Sequence, residues 1–201
     1  MNRTLVRRAL LPFAAVAVFA LAGCGGDEDT GSGMDHGSDT STAGGTSSQT
    51  FNDADVTFAQ NMIAHHQQAV EMADLAASRA ASTEVKTLAT QIKAAQQPEI
   101  DTMTAWCKAW GKPTVPAGGH DGHSMPGMMS TQDMDTLKAA RGAAFDKQFA
   151  QMMIDHHTGA IQMAQEVQKN GSNPEVKKLA ADIEKVQQAE IASLKKVLGQ
   201  S

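Results

Sequence analysis

Apolar residues in the first half of the folded region recur at helical spacing. Phe58, Met62, His65, Ala69, Met72 and Ala76 follow one 3–4 stripe, with Ile63, His66, Val70 and Ala73 beside it. Val85, Leu88, Ile92, Gln96, Glu99 and Met103 form a second stripe. The pattern then returns. Asp55–Met103 aligns with Asp146–Leu194 at a constant offset of 91, without a gap, giving 21 identities in 49 pairs. His65/His156, His66/His157, Met62/Met153, Met72/Met163, Gln96/Gln187 and Glu99/Glu190 are among them. An internal duplication of this kind fixes the architecture more firmly than residue propensities do.

Each repeat reads as two helices with marked breaks. Asn173-Pro174-Glu175 supplies an N-cap, a proline at the first helical position and an acid in the first turn. Asn170-Gly171 before it is a helix stop, and Ser82-Thr83-Glu84 is its counterpart in the first repeat. Pro98 removes the hydrogen bond to the Ala94 carbonyl and is expected to kink the second helix beside Glu99. Ser130-Thr131-Gln132-Asp133 has the form of a capping box and is expected to start the third helix early. Two helical hairpins joined by a Gly/Pro-rich stretch predict an all-α, antiparallel four-helix bundle over 51–198. Repeat one covers 51–111, the linker 112–130 and repeat two 131–198.

The chain opens differently. Three Arg precede an apolar run from Ala9 to Leu21 that is broken only by Pro12, which is too short for a good membrane span and has the form of an export signal. Leu21-Ala22-Gly23-Cys24 ends it, in the manner of a bacterial lipoprotein signal whose cysteine is acylated after cleavage. The expected products are a signal peptide over 1–23 and a lipid anchor at Cys24 on the extracytoplasmic side of the cell membrane. A spacer of Gly, Ser, Thr and Asp over 24–50 has almost nothing to bury. With Cys24 acylated, Cys107 is the remaining thiol, and no intrachain disulfide can form.

Composition agrees with a helical reading and removes other classes. Tyr is absent and aromatics are 4% of the chain, too few for a sandwich or barrel. The formal charge of −5, falling to −8 once the three signal-peptide Arg are removed, argues against nucleic acid as a partner. Seven His and twelve Met stand out, and their positions carry the chemistry.

His65, His66, Gln96 and Glu99 lie on apolar stripes. His65 is 17 residues before Ser82 and Glu99 is 17 after it; His156 and Glu190 flank Asn173 in the same way. Antiparallel helices rise equally on both sides of a turn, so each His pair sits level with its own Gln–Glu pair. If the repeats pack with pseudo-two-fold symmetry, four His, two Gln and two Glu share one mid-height layer. Adjacent residues point about 100° apart on a helix, so one His of each pair faces the axis and the other packs against its hairpin partner. Met62 falls level with Met103, setting a thioether layer beside the polar one. Metal ligation and a hydrogen-bonded register network are both open for this layer.

A second cluster, His120, His123, Met125, Met128 and Met129, lies in the linker, and Met34-Asp35-His36 repeats its composition in the spacer. A solvated loop gains little from exposed methionine, whereas thioethers with imidazoles select copper, Cu(I) especially. Chain topology places this His/Met loop and the spacer at the same end of the bundle, the end of the Met62/Met103 layer, with Trp106, Cys107 and Trp110. Cys107 is a further candidate soft ligand.

The doubled segments Met62-Ile63-Ala64-His65-His66-Gln67-Gln68-Ala69 and Met153-Ile154-Asp155-His156-His157-Thr158-Gly159-Ala160, with the later Gln-Gln-x-Glu-Ile pair, resemble the signature of domain-of-unknown-function family 305. The resemblance spans roughly 51–198. It implies a ferritin-like four-helix bundle, usually exported, with some members associated with copper binding and tolerance. It also implies functional roles for His65, His66, Met72, His156, His157 and Met163.

Three functions stand at this point. The first is a membrane-anchored copper-binding protein, taking Cu(I) or Cu(II) on Met62, His65, His66, Met72, Glu99, Met153, His156, His157, Met163, Glu190 and the linker His and Met residues. It would buffer copper or hand it to a metal-exchange protein partner that the sequence does not identify. The second is a ferritin-like metal-dependent oxidoreductase, but the Glu-x-x-His pattern of di-iron bundles is missing, since Met62, Ile63, Met153 and Ile154 precede the histidines by three. The third is an envelope interaction module whose His–Glu network only sets register.

Overall fold

The computed structural model describes residues 50–116 and 125–200, and all of these belong to one compact unit. Cys24, Met34, His36, His120 and His123 lie outside the described residues.

Five helices follow one another: α1 (Asp53–Arg79), α2 (Thr83–Ala109), α3 (Thr131–Ala139), α4 (Gly142–Asn170) and α5 (Pro174–Val197). The hairpins α1/α2 and α4/α5 are the two repeats, and they meet mainly through α1 against α4. Ser82 and Asn173 cap α2 and α5 as the sequence predicts, each accepting from two first-turn N–H groups. α2 continues through Pro98 as one helix. Gly171 follows α4, but its φ of −69° is open to any residue. It is small for another reason: a Cβ there would stand 2.4 Å from the Asp55 carboxylate.

The capping box at Ser130 and Asp133 forms, but it starts a separate nine-residue helix rather than an early α4. The chain leaves α3 through Ala140 and Arg141 and re-enters at Gly142, whose φ of +63° lies in the left-handed region that glycine tolerates.

Two aspartates set the direction of packing. Asp55, in the first turn of α1, accepts hydrogen bonds from Ser172 N and Oγ and from Asn173 N at the α4–α5 turn, and from Asn52 N in its own cap (2.9–3.1 Å). Its repeat partner Asp146, near the start of α4, accepts from Ala81 N and Ser82 N at the α1–α2 turn (3.1 and 2.9 Å). Each helix start therefore lies at the other helix's end, and α1 and α4 run antiparallel. The sequence-level alignment begins at this aspartate pair without revealing what it does.

The connection between the hairpins must then climb the full height of the bundle. It is tied to α1 at successive levels: Gln60 donates to Pro113 O, His65 to Pro126 O, Gln68 to Met129 O, and Arg79 to Lys138 O (2.8–3.0 Å). This corrects the expectation that the His/Met-rich linker stays at the end where it starts. Met125, Met128 and Met129 are carried to mid-height, beside the histidines.

Among the described residues, no helix is long and apolar enough to cross a membrane.

Candidate metal centre at the histidine layer

The four bundle histidines divide the core in two. On one side, Met62, Phe58, Ile63, Ile100, Met103 and Cys107 cluster with Ala160, Ala164 and Ile183. On the other, Met72, Phe145, Phe149, Met153 and Leu194 pack together. His65, His66, His156 and His157 are all 0% exposed between them. Met62 and Met103 share one cluster, as their level in the hairpin predicts. Met163 is half-buried, and Cys107 is enclosed by apolar side chains that push its thiol pKa up.

The division of labour expected for adjacent histidines is present. His65 and His156 face each other across the pseudo-two-fold axis, their ring centroids 3.7 Å apart and tilted by 38°. His66 turns to its own hairpin, where Nε2 meets Glu99 Oε2 at 2.7 Å, and His157 meets Glu190 Oε2 at the same distance. The two Glu side chains are 16% and 13% exposed, so they form the outer edge of the layer.

These bonds fix the ring tautomers. A carboxylate or carbonyl oxygen only accepts, so Nε2 of His66 and His157 carries the proton given to Glu, and Nε2 of His65 donates to Pro126 O at 3.0 Å. That leaves the Nδ1 lone pairs of His65, His66 and His157 buried, with no hydrogen-bond partner among the described residues. His156 makes no hydrogen bond through either nitrogen, although its ring approaches the His65 backbone. Gln96 (Nε2 and Oε1) and Gln187 Oε1 are unpartnered as well. Buried polar atoms are nearly always paired, so this concentration in one layer calls for an explanation.

Burial, reinforced by the neighbouring His66, lowers the His65 pKa from 6.5 to about 3. His156 is held well below its ordinary value by burial and then by His65. Both rings are neutral at physiological pH, the state in which imidazole binds metal.

An imidazole fixed by an N–H bond to a carboxylate or carbonyl, with the opposite nitrogen free, is the arrangement found behind metal-bound histidine. Among the described residues, however, no three His, Cys, Asp or Glu side chains converge as a ready cation site. Glu99 and Glu190 are engaged at the periphery, and the buried thioethers Met62 and Met153 lie three residues, about one helical turn, before His65 and His156 on α1 and α4. In the linker, Met125, Met128 and Met129 are half-buried, and Met129 packs against the Met72–Met153 cluster.

The sequence reading missed the strap over this layer. Met125-Pro126-Gly127-Met128 is a turn closed by Met128 N donating to Met125 O, with Gly127 at φ +77°. Proline followed by such a glycine is the signature of a type II turn, legible in the sequence once a turn is looked for.

A family model described as domain of unknown function (DUF305) matches residues 55–198. A DUF305 protein from Streptomyces coelicolor, described as secreted, is 31% identical, with 73% of this chain and 92% of that chain covered and a TM-score of 0.68. A DUF305 fragment from Deinococcus radiodurans is also 31% identical, covering 74% and 97%, with a TM-score of 0.68. CopM solved with Cu(II) is 39% identical over 71% of this chain and 93% of that chain, with a TM-score of 0.62. CopM has also been solved with Cu(I) and with silver. No curated protein matches the chain.

Proposed function

Since the chain belongs to the DUF305 family and is homologous to CopM, we propose that it is an exported copper-binding protein, anchored to the cell membrane through acylated Cys24. It buffers copper or hands it to an exchange partner outside the cytoplasm. The observation that carries this reading is the row of buried imidazole nitrogens at His65, His66, His156 and His157 without hydrogen-bond partners among the described residues, with the buried thioethers Met62 and Met153 one helical turn away. Imidazole and thioether together suit copper, and thioether favours Cu(I). Glu99 and Glu190 act as orienting groups for His66 and His157, and Met72 and Met163 are outer soft donors. His120, His123, Met125, Met128 and Met129 form a second, linker site.

Binding rather than turnover is favoured because the layer lacks the convergent carboxylates a di-iron centre needs. The ferritin-like assignment is supported by the single long crossover joining the two hairpins.

The test is titration of the domain with Cu(I) and Cu(II) against a competing chelator. Replacing His120, His123, Met125, Met128 and Met129 is expected to abolish the linker site and leave a bundle site. An affinity no greater than that of a bundle lacking these His and Met residues ends the copper reading.

A further inference from the structure

A groove of about 510 Å³ runs between the first half of α1 and the second half of α4. Asp53 and Glu166 stand at it with exposed side chains, Phe58, Asn61 and Met163 line it, and Pro126 closes one end. On α1 the lining residues Ala54, Phe58 and Asn61 step along one helix face, and the next position on that face is His65. On α4, Val167 and Met163 step through Gly159 to His156. On α1 one helical turn, about 5.4 Å, separates Asn61 at the end of the groove from His65; on α4 Met163 is about two turns from His156, and Gly159 begins the last turn.

The strap Met125–Ser130 occupies that turn. Its seat is cut to fit: a Cβ on Gly159 would lie 2.0 Å from Pro126 O, and one on Gly127 would lie 2.7 Å from Asp155 O and 2.9 Å from His156 O. Gln68, the residue matching Gly159 in repeat one, grips the strap from the other side. It donates to Met129 O at 2.9 Å and accepts from Met129 N at 2.8 Å. Residues 68 and 159 are thus a place where the duplicated motifs diverge, Gln against Gly, and both divergent residues serve the strap. Pro126 is itself exposed on its outer side, while its carbonyl holds His65 within. The cover over the axial pair is one chain thick.

We propose that the α1/α4 groove is the entry vestibule for a soft metal cation, and that the Met125–Ser130 strap is its inner closure over His65 and His156. Asp53 and Glu166 attract the cation, Met163 offers a thioether on the way in, and release of Pro126 and Gly127 from Gly159 opens the last turn. The proposal rests on the copper-binding reading for the identity of the cargo, while the route itself is testable without metal.

The experiment treats metal-free protein with diethyl pyrocarbonate, which modifies accessible neutral imidazole, and reads the histidines peptide by peptide. In the unaltered protein His65, His66, His156 and His157 all resist modification. In Gln68→Ala, and again in Gly159→Ala, modification of His65 and His156 is expected to accelerate at least tenfold. His66 and His157, sealed behind Glu99 and Glu190, stay protected, and helical circular dichroism is retained. The rate of Cu(I) uptake by the bundle rises in parallel at unchanged stoichiometry.

If all four histidines become reactive together, the strap is only a staple of the fold and the proposal falls. It falls equally if His65 and His156 stay inert in both variants, or if they become reactive while copper uptake keeps its rate. A bundle that takes up no copper in any form removes the cargo and with it the vestibule, while selective reactivity of His65 and His156 still identifies the strap as their cover.

Discussion

Acidification from pH 8 to 4.5 is expected to destabilise the metal-free domain through its buried histidines. His65 is buried and neutral, with a pKa of about 3 in the folded protein against 6.5 when exposed. Between those values the unfolded chain binds a proton that the folded chain refuses, so stability is complete above pH 6.5 and falls as pH drops through the window. Working the proton balance for this one imidazole gives a loss of about 3 kcal/mol at pH 4.5 relative to pH 8. His156 is shifted in the same direction and adds to the loss. A domain of this size has about 5–15 kcal/mol in hand, so the two rings together remove a large part of it. Urea unfolding followed by circular dichroism at pH 8, 6, 5 and 4.5, in the presence of a chelator, reads the effect directly. His65→Phe keeps a ring in the stack and removes one titrating group, so its stability should fall less steeply with pH. A urea midpoint that stays level down to pH 4.5, or a His65→Phe variant with the original slope, would refute the argument.

Three further variants test hydrogen bonds that are already satisfied. Asp55→Ala strips the acceptor from Ser172, Asn173 and Asn52 and is expected to cost about 2–4 kcal/mol in urea unfolding. Asp146→Ala loses two such bonds and should cost less. Glu99→Ala leaves the His66 Nε2–H buried without its acceptor, at a cost of about 1–3 kcal/mol. It should also weaken bundle copper binding by about 10–100-fold in the chelator competition, because an orienting partner of a ligand is lost.

Most of the bundle was legible because its information is local and doubled. The stripe through Phe58, Met62, His65 and Ala69, repeated 91 residues later, states both the helix and its buried face. Equal spacing about Ser82 and Asn173 placed each histidine pair beside its glutamate, and the structure joins His66 to Glu99 and His157 to Glu190. What the sequence hid depends on contacts between distant segments. Asp55 looks like an ordinary first-turn acid, and only the antiparallel docking of α1 on α4 shows that it caps a turn 117 residues away. The path of the linker was hidden for the same reason. Nothing in Met125-Pro126-Gly127 announces His65 as its partner, and Gly159 looks like a weak helix residue until the strap is seen lying on it.

The exchanged aspartates reach beyond stability. Asp55 closes the turn of the second hairpin and Asp146 closes the turn of the first, so neither hairpin completes its own end. The same reciprocity would hold between two identical hairpins on separate chains, related by a true two-fold axis. The molecule thus has the form of a homodimer whose subunits have been fused. Fusion supplied the one element that an exact dimer lacks, a single crossover segment. That segment is what makes the two central histidines unlike: His65 Nε2 is bonded to the strap at Pro126 O, whereas its twin His156 meets the ring and backbone of His65.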